Sequence, residues 1–178
     1  MEQETKTQTS TKKHEMVAPL LAAGPCAAGM RRVKREDSKI DIRFADNAHM
    51  EFYNGQADRL NPDSYLKALI YTLGICDDTR RRFDSMYDAK KRGIVLETLH
   101  AGWQTGGSTK ATRLAFNLFT DCPATAYSGT GNPDFDECKR YSVSDIFCCG
   151  YAPLFVEAIK LRYPEYMREG GANAGLYF

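Results

Sequence analysis

The stretch that most constrains the fold is 102–119, GWQTGGSTKATRLAFNLF, where a glycine- and hydroxyl-rich turn runs straight into an amphipathic helix. Ser108 suits an N-cap, and Leu114, Ala115, Leu118 and Phe119 recur at helical spacing, so one face must be buried against other elements. Glycines at this turn let a neighbouring group approach the backbone closely. The unpaired N–H groups of the first turn, at the positive end of the helix dipole, can receive an anion. Lys110 and Arg113 add cationic donors near that end, and Asn117 lies one turn beyond Arg113 on the same flank. With Trp103, Gln104, Thr105 and Ser108 they form a candidate phosphate- or carboxylate-binding entrance. The order GxxxxGK[ST] is absent, so nucleotide hydrolysis is not implied. The plainer reading is a capping turn with Arg113 as a helix-bridging cation, because most glycine turns before helices bind nothing.

The rest of the chain reads as further helices. Residues 1–38 form a flexible leader: Met1–Glu15 is polar and aperiodic, and a small-residue stretch then meets the basic run Arg31-Arg32-Val33-Lys34-Arg35. Ile40, Ile42 and Phe44 alternate, which predicts a short strand or extended lead-in. Ala45–Tyr53 is expected as a helix capped by Asp46 and stopped at Gly55. Asn61 as cap and Pro62 at the first helical position open a second, with Tyr65, Leu66, Leu69, Ile70 and Leu73 on one face and Gly74 at its end. A third runs from Asp77-Asp78 to about Arg92, with Phe83, Met86 and Tyr87 inward. Its pairs Arg80–Asp84 and Asp88–Arg92 at i,i+4 account for much of its charge, leaving Arg81 and Arg82 as surplus cations. Ile94–Leu99 links it to the central helix. Asp121–Arg140, with two prolines and two glycines, is expected as an exposed loop, followed by a short turn from Ser142 through Cys149. Pro153 starts a last helix that buries Phe155, Val156, Ile159 and Tyr163 and ends before Pro164. The expected architecture is mainly α, a single compact domain of about five helices over residues 39–169, with a loose tail over 170–178.

Composition narrows the function classes. A formal charge of +1 and a pI near 7.6 exclude both an acidic DNA mimic and a strongly basic nucleic-acid coat, so any nucleic-acid contact must be local. The six cysteines form no CxxC pair, so zinc-ribbon spacing is missing; Cys122, Cys138 and Cys148 with His100 form only a minor alternative. Buried small hydrophobes in a reducing cytoplasm are the expectation for these thiols, with no metal and no cofactor. No apolar run approaches the ~18 residues that span a bilayer.

Three collinear groups of residues carry a resemblance. The first comprises His49-x-x-Phe52-Tyr53, Asp63-x-Tyr65, Ala68-Leu69-x-Tyr71-Thr72-Leu73-Gly74-Ile75-Cys76 and Asp78-Thr79-Arg80. The second is Trp103-Gln104-Thr105 with Thr112-Arg113-Leu114-Ala115-Phe116-Asn117-Leu118, and the third Tyr151-Ala152-Pro153 with Glu157 through Tyr166. Over Phe44–Arg168 the chain resembles an uncharacterised family of small proteins carried by Firmicutes, their phages and mobile elements. That group is similar to certain type II anti-CRISPR proteins, inhibitors of Cas9. The resemblance defines no catalytic residues.

It implies a binding module that engages Cas9 or the Cas9–guide RNA complex in the bacterial cytoplasm, through protein surface and guide or target phosphates. Thr105, Ser108, Lys110, Arg113 and Asn117 are the candidate contacts, with Trp103, Gln104, Lys160 and Arg162. A second hypothesis is an RNA-cleaving hydrolase acting on guide RNA. It needs an acid and a base, for which His100, His49 and Glu157 are the available residue types. A third is a transcriptional regulator of the mobile element, which the internally neutralised third helix fits least.

Overall fold

A computed structural model describes residues 41–126 and 134–167. The expected leader over 1–38, Ile40 of the lead-in, Gly129, Gly131 and Pro133 of the loop, and the tail over 170–178 lie outside the described residues. The body is mainly α, a single domain with eight α-helices, one 3-10 turn and one small hairpin among the described residues.

Helix α1 (Asn47–Leu60) starts where expected, with the Asp46 side chain accepting from the His49 N–H at 2.6 Å. It runs through Gly55, whose surroundings are open, and ends where Asn61 turns left-handed at φ 44° and donates its N–H to the Ala57 carbonyl. Glycine in an exposed helix costs only about 1 kcal/mol, too little to break a helix that packing holds. Asn61 is therefore the C-cap of α1 rather than the N-cap of the next helix. Asp63 fills that role for α2 (Ser64–Gly74), accepting from the Leu66 N–H at 2.9 Å.

Helix α2 is the axis of the fold. Leu66 and every residue from Ala68 to Gly74 are buried, as expected of a helix surrounded by others. Gly74 is required by close approach, since a Cβ there would sit 2.7 Å from the His49 ring and 2.9 Å from Phe52.

The third helix expected from the sequence does not exist as one piece. The chain forms α3 (Asp77–Arg81) and α4 (Phe83–Met86), then a hairpin of β1 (Tyr87–Asp88) and β2 (Gly93–Ile94), with Tyr87 opposite Ile94 and Asp88 opposite Gly93. Asp88 breaks the helix, because its carboxylate accepts from the Lys90 and Lys91 N–H groups at 2.9 and 3.1 Å and nucleates a turn. Arg92 closes that turn at φ 51°. The expected pairs Arg80–Asp84 and Asp88–Arg92 do not form: Asp84 pairs with Arg59, Arg92 with Asp63, and Arg80 with distant Asp46 and with Asp77 three residues before it. Arg81 and Arg82 are not surplus, since both pair with acids at the start of α3. Phe83, Met86 and Tyr87 do point inward.

A 3-10 turn (Leu96–His100) leads to α5 (Gly106–Thr120), which lies along α2. The segment expected as an exposed loop contains α6 (Phe135–Lys139), and Ala126 before it is fully buried. Then come α7 (Val143–Phe147), capped by Ser142, and α8 (Ala152–Arg162), with proline in its first turn. On α8 the buried face carries Phe155, Glu157, Ala158 and Arg162, whereas Val156 is 46% exposed. The face expected from Phe155, Val156, Ile159 and Tyr163 is rotated, because Glu157 and Arg162 find partners in Lys160 and Asp121 and turn inward while Val156 faces out. Two layers of core flank α2: one with Phe83, Met86, Tyr87 and Phe116, the other with Leu114, Leu118, Ile146 and Phe155. The described lead-in residues Ile42 and Phe44 pack on the second layer without forming a strand.

Candidate functional site around helix α5

The entrance of α5 is closed by its own side chains. Thr105, not Ser108, is the N-cap; its hydroxyl accepts from the Ser108 N–H at 3.2 Å, and the Ser108 hydroxyl accepts from the Thr105 N–H at 2.7 Å. This reciprocal box places Gly106 and Gly107 inside the first turn instead of before it. Ser108 is fully buried and donates to Gln104 Oε1 at 2.6 Å, while Gln104 Nε2 donates to the Thr98 carbonyl and to the Thr112 hydroxyl, both at 3.1 Å. The Tyr151 ring covers Gly107 so closely that a Cβ there would meet it at 3.0 Å. Trp103 packs against the core with the Arg82 guanidinium 4.8 Å from its ring centre.

Each cation proposed as an anion receptor has an acceptor inside the fold. Lys110 donates to the Asp145 and Cys148 carbonyls at 2.5 and 3.0 Å, which satisfies the C-terminal end of α7. Arg113 makes a fork-to-fork pair with Glu137, Nε to Oε1 at 2.8 Å and Nη2 to Oε2 at 3.0 Å, with the two side chains only 11% and 12% exposed. Thr125 donates its hydroxyl to Glu137 Oε1 at 2.9 Å and shares a 2.6 Å hydrogen bond with the Tyr141 hydroxyl. Burial alone would raise the Glu137 carboxyl; the Arg113 and Thr125 hydrogen bonds and the Arg113 and His100 charges outweigh it and hold it below the ordinary glutamate range. Lys160 pairs with Glu157 at 3.1 Å, one turn back on α8. Asn117 is half-buried on α5, one turn after Arg113.

Arg162 is the most enclosed of these cations. Its Nε donates to the Leu118 carbonyl at 2.9 Å and its Nη2 to both Asp121 oxygens at 2.8 and 3.0 Å. The guanidinium lies 3.3 Å from the Tyr65 ring centre and 4.5 Å from that of Tyr163. It thereby completes the C-terminus of α5, where Asp121 sits left-handed at φ 57°.

Among the described residues no hydrogen bond or ion pair joins the three residues proposed for acid–base work. His49 is fully buried between α1 and α2, its Nε2 2.8 Å from the Tyr71 carbonyl and its Nδ1 3.2 Å from the Ala45 N–H. Glu157 is buried against Lys160 on α8. His100 is exposed at the end of the 3-10 turn and acts on Glu137 through its charge. Among the described residues no group of three or more His, Cys, Asp or Glu side chains converges on a metal position.

Spacing arguments missed Glu137, Thr125, Tyr141 and Asp121, because the partners of Arg113 and Arg162 come from sequence-distant segments. One local signal was available. Asp134 caps α6 by accepting from the Asp136 and Glu137 N–H groups, and Lys139 sits in its last turn, an N-cap and charge pattern that marks a helix. The α6–α7 segment also carries two strongly exposed large apolar side chains, Phe135 at 73% and Val143 at 74%.

No curated protein and no solved structure matches the chain. Residues 39–174 match a family of unknown function, DUF6075, which spans the helical body described above, and the chain belongs to that family.

Proposed function

We propose that the chain acts by binding a protein partner through the α6–α7 segment, and that the partner is Cas9, alone or loaded with guide RNA. The observation that carries the binding reading is the way this segment is held. The Arg113–Glu137 fork ties α6 to α5, and Lys110 ties α7 to the same helix, yet the segment turns Phe135 and Val143 outward. Apolar side chains kept three-quarters exposed on a fixed scaffold are the kind that anchor an interface. Lys139 and Arg140, both exposed beside them, supply a polar rim. The resemblance to anti-CRISPR proteins supports Cas9 as the partner, and the near-neutral charge favours contact with protein surface over mimicry of DNA.

The test is capture of purified Cas9, with and without guide RNA, by the immobilised chain. A Phe135→Ala/Val143→Ala variant should keep its melting temperature, since neither side chain contributes much burial, and should bind at least about tenfold more weakly, corresponding to roughly 1.4 kcal/mol or more. No capture of either Cas9 form refutes the partner, and capture unaffected by the double substitution refutes the surface. Shortened guide RNA recovered from the complex would favour the hydrolase, with His100 the first residue to replace because it is the exposed histidine of the α5 region.

A further inference from the structure

We propose that His49 is an acid-sensitive clasp: its neutral ring holds the segment Ile42–Ala45 on the helical body, and its protonation releases that segment. The ring is fully buried, and both of its nitrogens are engaged. The Ala45 N–H can only donate, so Nδ1 must accept, and the Tyr71 carbonyl can only accept, so Nε2 must carry the proton. That pairing is complete for the neutral ring and leaves no place for a second proton.

Protonation at Nδ1 would set two donors against each other across 3.2 Å. Relief comes from whichever neighbour is held most weakly. Helix α2 supplies most of the core and α1 is held by its own helical hydrogen bonds, whereas the segment 42–45 forms neither helix nor strand and adds to the packing only the partly buried Ile42 and Phe44. It is held by the Ala45 N–H bond, by the Tyr71 hydroxyl donating to the Arg43 carbonyl, and by the Phe44 ring lying 5.2 to 5.6 Å from the His49, Tyr71 and Tyr53 rings. Lifting this segment exposes Nδ1 to water and leaves the Nε2 bond to α2 intact, so local opening costs less than loss of the core.

The charges around the ring are mixed. Asp46 at the start of α1 favours the imidazolium, while Arg80 of α3, which pairs with Asp46 at 3.4 Å, opposes it. Tyr53 of α1 and Tyr71 of α2 are neutral phenols raised by burial, and Glu157 of α8 and Arg43 act on Tyr71 with opposite signs. Burial is the largest influence; it outweighs the Tyr71 carbonyl hydrogen bond and the Asp46 charge, which favour the imidazolium, and keeps the imidazole below its ordinary value. The clasp is therefore shut at neutral pH and opens as the pH falls through the lowered value of the folded ring.

The experiment is an NMR titration of the full chain. Ring nitrogen shifts report the His49 proton, amide exchange reports Ala45, and Trp103 fluorescence with the amides of α2 reports the body. At pH 7 the ring should carry its proton on Nε2. As it protonates, the Ala45 protection factor, corrected for intrinsic exchange, should fall at least about tenfold while Trp103 emission and α2 protection hold. Ala45 protection that persists through the ring's titration overturns the clasp. So does loss of Ala45 and α2 protection in a single step, or a ring that stays neutral until the whole chain unfolds. In folded His49→Gln, which cannot titrate, Ala45 protection should lose its acid step, and a retained step refutes the assignment. Should that variant fail to fold, the wild-type titration decides.

Discussion

Replacing Arg113 by alanine tests whether the α5 entrance is a receptor for something outside or a joint within the fold. Alanine removes two charge-assisted hydrogen bonds of 2.8 and 3.0 Å and leaves Glu137, a side chain only 12% exposed, without its counter-ion. A hydrogen bond to a charged group contributes about 1.5–3 kcal/mol, and orphaning one partner of a buried pair costs about 3–5 kcal/mol. Glu137 keeps its Thr125 bond and some access to water, so the expected loss is about 3 kcal/mol. For a body of this size that lowers the melting temperature by roughly 10–15 °C. Urea and thermal melts followed by Trp103 fluorescence measure it, and a cycle with Glu137→Ala should give a coupling of at least about 1 kcal/mol. Because the folded Glu137 carboxyl lies below its unfolded value, its contribution is fully present above that unfolded value, about pH 4.3, and is lost as pH falls through the folded one. The difference between wild type and Glu137→Gln should therefore shrink in acid. A variant Arg113→Ala with wild-type stability and a coupling below about 0.5 kcal/mol would refute the joint and return Arg113 to the role of an open anion receptor.

Three further outcomes follow from contacts elsewhere. Gly74→Ala should cost about 1–3 kcal/mol in chemical denaturation despite alanine's better helix propensity, because its Cβ would lie 2.7 Å from the buried His49 ring. Arg162→Lys should lower the melting temperature measurably, since an ammonium cannot reproduce the Leu118 and Asp121 bonds and the stacking on Tyr65 together. Thermal melts should be unchanged by chelator, because the fold rests on apolar layers around α2; a fall in midpoint would overturn this.

Helices with a clear cap and a long apolar rhythm were legible in the chain itself. Asp46 announced α1, the run from Leu66 to Leu73 announced α2, and Pro153 announced α8. These are local matters: a cap bonds to an N–H three residues away, and a helical face repeats every turn. The sequence therefore determined a mainly α body, whereas the place of α2 at its axis, with core on both sides, came from packing. Tertiary structure decided what spacing does not encode. Asp88 could pair with Arg92 along a helix or accept from the Lys90 and Lys91 N–H groups in a turn, and the Tyr87–Ile94 pairing, with Ile94 packed on the core of Phe83, Met86 and Tyr87, favours the turn. Glu157 and Arg162 look like surface charges until Lys160, Asp121 and the Tyr65 ring allow their burial. The cations of α5 posed the same question: a guanidinium near a helix entrance is a ligand site or a staple depending on whether a carboxylate reaches it. Glu137 reaches Arg113 from 24 residues away, across a separation that no local pattern records. A charge has its partner in space, and only the folded chain fixes which one.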